Sequence, residues 1–136
     1  MCALPSGRSL CYLDAREEPA KEAYFQPNIS AIRGSLKPAA DAEAGVWPRE
    51  TIWGGFLAEN VTQAAAADIL REAMHRVDAA GYLPVGHTHD EILIEVPTAR
   101  ISHARLILRD SMVALPDWAT GLPIDAELWT GYHFRK

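Results

Sequence analysis

Apolar and polar residues change period several times along the chain, and each change marks an element. Residues 4–13, LPSGRSLCYL, read as a turn at Pro5-Ser6-Gly7 followed by a short strand. Residues 14–28 carry charge and two prolines and are expected to form an irregular loop, with a second strand over 29–33. Residues 35–50, rich in alanine, acids, Pro38, Gly45 and Pro48, read as another loop, so 14–50 is loop-rich. The longest helical pattern covers 55–80, entered at Gly54-Gly55 and stopped at Gly81. At 100° per residue Ala66, Leu70, Ala73, Met74 and Val77 share a stripe, which continues backwards onto the polar Gln63 and Glu59. Those two residues either project past the core into water or face a polar partner in a cleft. Residues 82–87 and 91–96 read as two strands. In the second, Ile92, Ile94 and Val96 alternate with Glu91, Leu93 and Glu95. His87-Thr88-His89-Asp90 lies between them, which predicts a β-hairpin with His and Asp at or near its tip. Thr98 is a candidate N-cap for a second helix over 98–113, residues 115–123 read as a loop, and 126–134 alternate as a closing strand. The predicted order β, β, α, ββ, α, β gives an α+β fold, with two helices on one face of an antiparallel sheet.

The 136 residues suit one domain rather than two. With 49% hydrophobic and 23% charged residues the composition is that of an ordinary globular chain. No apolar run approaches the ~18 residues of a membrane span, and the first residues lack the apolar core of a secretory signal. Cys2 and Cys11 alone make no disulfide framework, so a reducing, cytoplasmic setting and no membrane partner are expected. The net charge of -5 argues against a free-standing nucleic-acid binder. Lys21, Lys37 and Lys136 are the only lysines, so phosphate-neutralising charge on any DNA would come mostly from elsewhere.

HTHDE at 87–91 is the densest group of ionisable side chains. In one reading, Asp90 binds a divalent cation. Mg²⁺ prefers carboxylate oxygen, keeps several waters and is commonly shared with substrate phosphates. Two-metal phosphoryl transfer, with ions about 3.5–4 Å apart, requires at least one further carboxylate to bridge the ions, and a single short hairpin cannot supply the whole site. In another, His87 and His89 bind zinc as a His-x-His pair in a hydrolase. Such a site ordinarily recruits further ligands, and His75, His103 and His133 show no ligand-like spacing. In the third, the segment is a polar turn with no ligand.

The surroundings of HTHDE carry a resemblance. Glu59-Asn60, Thr62-Gln63 and AAAADIL lead into a long helix, then Gly81-Tyr82, a strand, His89-Asp90-Glu91, an alternating apolar strand and Pro97. LPSGR at 4–8 with Tyr12, TIWGGFLAEN at 51–60, and the closing Pro116, Trp118-Ala119, Gly121-Leu122-Pro123, Glu127 and Gly131 complete it. Taken together this resembles the C-terminal part of the palm domain of family A, phage-type DNA polymerases. The likeness runs over nearly the whole chain and is weakest over 14–50.

The resemblance implies a component of a template-directed DNA polymerase that transfers nucleotides with Mg²⁺ or Mn²⁺. It implies that Asp90 is one of the two metal-holding palm aspartates, Glu91 an auxiliary carboxylate, and His89 a neighbour of the primer terminus. Gln63, and with it Asn60 and Glu59, would line the cleft beside primer-template DNA, and Arg8 would touch backbone phosphate. Phe56 stands where phage relatives carry Lys, Ala67 where they often carry Arg, and Trp53 replaces a Tyr, so DNA contacts would be weaker. The family's second aspartate, and the fingers helix that binds the incoming dNTP, have no counterpart in these residues. A second polymerase chain would supply them, making the protein a split subunit; the alternative is a non-catalytic remnant, or a DNA- or protein-binding module on the palm fold.

Overall fold

The computed structural model describes residues 1–18, 28–32 and 49–134. The fold is α+β, as the pattern predicts, but its strands form three small antiparallel sheets rather than one. The chain forms two compact units, Met1–Gln63 and Ala64–Lys136.

In the first unit, β1 (Cys2–Ala3) pairs with β2 (Ser9–Leu10) across the predicted turn. Gly7 there has φ +84°, and Gly7 N–H donates to the Leu4 carbonyl at 3.0 Å. A three-stranded sheet follows, β3 (Arg16–Glu18), β4 (Asn28–Ile32) and β5 (Arg49–Ile52), with β4 central. β4 is the predicted second strand. β3 and β5 correct the loop expectations for 14–28 and 35–50, whose residues 19–27 and 35–48, with Lys21 and Lys37, lie outside the described residues. Both strands are almost wholly exposed, so neither has the period-2 apolar signal that would reveal a strand.

A polar cluster stabilises this sheet instead. Arg49 donates from Nη1 to Asp14 Oδ2 at 2.8 Å and from Nη2 to the Asp14 carbonyl at 2.7 Å and the Ser30 carbonyl at 3.1 Å. Ser30, buried, donates its hydroxyl to Glu18. The side-chain hydrogen bond from Arg16 holds the Asp14 carboxyl below the usual carboxylate range, and that from Arg49 adds to it. A carboxyl lowered on folding favours the fold above its unfolded pKa and ceases to do so as pH falls through the folded one.

Helix α1 (Gly54–Ala79) matches the predicted 55–80. Its C-terminus is a Schellman closure: Tyr82 N–H donates to the Val77 carbonyl at 3.1 Å, and Gly81 N–H to the Asp78 carbonyl at 2.8 Å. Gly81 takes φ +83°, and a Cβ there would meet nothing within 4 Å. Gly81→Ala therefore carries the backbone penalty alone. It is expected to lower stability by about 1–2 kcal/mol in urea denaturation, and an unchanged midpoint would contradict this capping role.

The second unit holds the rest of α1, the hairpin β6 (Pro84–Thr88) and β7 (Glu91–Ile94), and α2 (Ile101–Val113). Its core joins Val77, Tyr82 and Ala104, with Ile94, Val96, Ile107 and Leu108 packed around them. Tyr82 is 3% exposed; its hydroxyl lies 2.5 Å from His103 Nδ1, and the Arg100 guanidinium lies 4.9 Å over its ring.

Three further expectations are corrected here. Thr98 is not an N-cap but the first residue of a 3₁₀ turn, Thr98–Arg100, that Pro97 introduces and that runs into α2 without a side-chain cap. Ala66 is exposed, and the buried positions of α1 are Asp68, Ala73 and Val77. Residues 126–134 form no strand. Half-buried Ala126 and Leu128 still alternate with exposed Glu127 and Trp129, but side chains anchor the segment: Arg109 to Asp125 and Arg105 to Thr130, each at 2.8 Å. Alternation predicts an extended chain; a strand also requires a neighbouring edge to bond.

Candidate functional site

The hairpin sets the geometry of His89-Asp90-Glu91. Thr88 pairs with Glu91 and His87 with Ile92, so His89 and Asp90 are the two loop residues. Ile92 is buried at 7% exposure, which fixes the register, because a one-residue slip would turn the apolar set of β7 outwards. A bulge between Pro84 and Gly86 absorbs Val85 at the far end of the hairpin. His89 has φ +51°. A left-handed backbone at the first loop position is what a tight two-residue turn demands, and His tolerates it better than most residues, though at a cost.

His87, His89, Asp90 and Glu91 are all exposed. Among the described residues no hydrogen bond or ion pair engages the side chains of Asp90 or Glu91. The tip thus presents two adjacent solvated carboxylates, which suits a cation that keeps water and is shared with phosphate. Zinc fits less well. The positive φ takes His89 out of the extended conformation in which a His-x-His pair would face one way. No group of three or more His, Cys, Asp or Glu that could hold a metal ion of any kind occurs among the described residues.

The other predicted residues lie in the first unit. Glu59, Asn60 and Gln63 occupy the N-terminal turns of α1. Gln63 Nε2 donates to Glu59 Oε1 at 3.2 Å, the i,i+4 arrangement of an exposed helical face. Asn60 is half-buried, and its Nδ2 donates to the Tyr12 hydroxyl at 3.2 Å. Arg8 is exposed on β1–β2, where its carbonyl accepts from Leu4 N–H at 2.7 Å. A half-open cavity of about 210 Å³ lies in the same unit, walled by Tyr12, Leu13, Ala31, Ile32, Ile52 and Phe56, with Cys11 and Glu50 also lining it. Of the two departures nearest the entry of α1, Phe56 lines the cavity, and the exposed Trp53 indole lies across Gly55, where a Cβ would sit 1.8 Å from its ring.

Two features escaped sequence reasoning. Asp68 is 1% exposed, with Arg71 Nη2 3.2 Å from its carboxylate one turn on; the Asp-x-x-Arg spacing was its signal. The Tyr12–Asn60 bond joins residues 48 positions apart, and no local pattern announces it.

No protein-family model matches the chain, and no solved structure matches it. A curated DNA polymerase of Bacillus phage SP02 is 33% identical to it over 135 residues, 98% of this chain. The chain spans 19% of the length of that polymerase.

Proposed function

We propose that the chain is the C-terminal palm element of a family A, phage-type DNA polymerase, acting in template-directed nucleotidyl transfer on primer-template DNA. The observation that carries this reading is the match to a phage DNA polymerase over 135 of these residues, and the exposed carboxylates at the hairpin tip support it. Asp90 is the residue that would hold Mg²⁺ or Mn²⁺, with Glu91 beside it. When bound, the divalent ion neutralises charge on the transferring phosphoryl group. His89 approaches the primer terminus. Gln63, Asn60 and Glu59 contact the DNA, and Arg8 meets a backbone phosphate. In this reading a second polymerase chain supplies the second metal-binding aspartate and the dNTP-binding fingers. The net charge of -5, with Phe56 and Ala67 in place of basic residues, favours as the second reading a non-catalytic module that keeps this fold.

Metal preference tests the assignment at the tip. Titrating Mn²⁺ into the ¹⁵N-labelled chain is expected to broaden the Asp90 and Glu91 amide signals through weak, reversible binding, and Asp90→Ala is expected to remove the effect. Stoichiometric zinc that survives dialysis, and is lost in His87→Ala and His89→Ala, would favour a zinc hydrolase instead.

A further inference from the structure

We propose that Tyr12 is a positioning residue for the DNA-contacting face of α1, acting through Asn60. The inference rests on the reading of Asn60 as a DNA contact and assigns the group that fixes its side chain. Asn60 lies in the second turn of α1, half-buried, where a carboxamide would otherwise compete for local backbone groups. Its Nδ2 donates instead to the Tyr12 hydroxyl at 3.2 Å. This bond holds the carboxamide against the hydroxyl and leaves its carbonyl oxygen and second amide hydrogen for a ligand.

Both partners are held by the same small sheet. Leu13, next to Tyr12, accepts at its carbonyl from Ile32 N–H of β4 at 3.0 Å. On the other side, β5 ends at Ile52 and α1 begins at Gly54, so Asn60 follows the sheet by less than two helical turns. Half-buried Tyr12 also lines the 210 Å³ cavity together with Ala31 and Ile32 of β4 and Ile52 of β5. Tyr12 therefore ties Asn60 to the segment that bonds the sheet, an arrangement that preorganises a binding face.

The test is an NMR titration of the intact 136-residue chain with a short primer-template duplex at low ionic strength, using wild type, Tyr12→Phe, Asn60→Ala and the double variant. Wild type is expected to shift amide signals over 59–63. Tyr12→Phe is expected to weaken the affinity roughly 3–10-fold, the effect of one neutral hydrogen bond, and to erase the distinct Asn60 side-chain amide pair. Asn60→Ala is expected to weaken it at least as much. In the Asn60→Ala background Tyr12→Phe is expected to change nothing further, since it acts only through Asn60. A purely structural tyrosine would lower affinity equally in both backgrounds, which would overturn the proposal. An effect of Asn60→Ala with none of Tyr12→Phe would overturn it too, while leaving the DNA-binding face of α1 standing. Failure of the wild-type chain to respond to the duplex, or an inert Asn60→Ala, would remove that reading and this proposal together.

Discussion

Asp90→Ala is expected to abolish primer extension by a reconstituted polymerase, lowering kcat about a thousandfold or more, with its assembly unchanged. The size follows from the proposed role. A carboxylate that holds a catalytic cation governs several kcal/mol of transition-state stabilisation, and about 4 kcal/mol is a thousandfold. The selectivity follows from the position. Asp90 is exposed at a two-residue hairpin tip, and its side chain makes no hydrogen bond or ion pair among the described residues, so truncating it removes no packing. Asp90→Asn, which keeps the shape and removes the charge, is expected to behave as Asp90→Ala does. Glu91→Gln is expected to act more mildly. Steady-state kinetics with each variant, beside a sedimentation measurement of assembly, make the comparison. Wild-type kcat in the Asp90→Ala complex would refute the metal-ligand assignment.

The largest stability loss is expected at Tyr82. The ring is 3% exposed against Val77 and Ala104, the hydroxyl bonds to His103, and Arg100 caps the face. Tyr82→Ala removes all three contributions and leaves a cavity where the Schellman closure of α1 meets the hairpin. A loss of about 3–5 kcal/mol is expected, which corresponds to a fall in Tm of roughly 10–20 °C for a chain of this size. Tyr82→Phe keeps the ring and drops only the hydroxyl, for about 1 kcal/mol. Thermal and urea unfolding followed by circular dichroism give both values, and a loss below about 1 kcal/mol for Tyr82→Ala would contradict the core assigned here. Because β6 starts two residues after Tyr82, the same substitution should also loosen the hairpin that carries Asp90.

Elements with their own apolar period were legible in the sequence. The 26-residue helix α1 and its glycine stop, the hairpin, and the exposed Asp90 at its tip all followed from periodicity and turn chemistry. Elements held by polar side chains were not. β3 and β5 depend on Arg49 and its bonds to Asp14 and Ser30, which no window of alternating residues can reveal. The reverse happened at 126–134, where the alternation was real but the segment pairs with no strand among the described residues. The helix stripe misled at Ala66 because it assumed an apolar buried face, whereas α1 buries Asp68 beside Arg71. The grouping of His89, Asp90 and Glu91 on the hairpin was legible because contiguity in sequence suffices to bring them together. Tyr12 could not be linked to Asn60, since the bond depends on where the sheet ends relative to the helix.

Primer extension with the parts separated and combined tests the central claim most directly. The 136-residue chain would be assayed alone, beside the Bacillus phage SP02 polymerase lacking the 135 matched residues, and mixed with it. No extension is expected from either part alone, since the hairpin by itself cannot assemble a two-metal site without the second aspartate and the nucleotide-binding elements. Template-directed, Mg²⁺-dependent extension is expected from the mixture. Extension by the chain alone would contradict its dependence on a partner, and a mixture that assembles yet extends nothing would contradict its role in the polymerase.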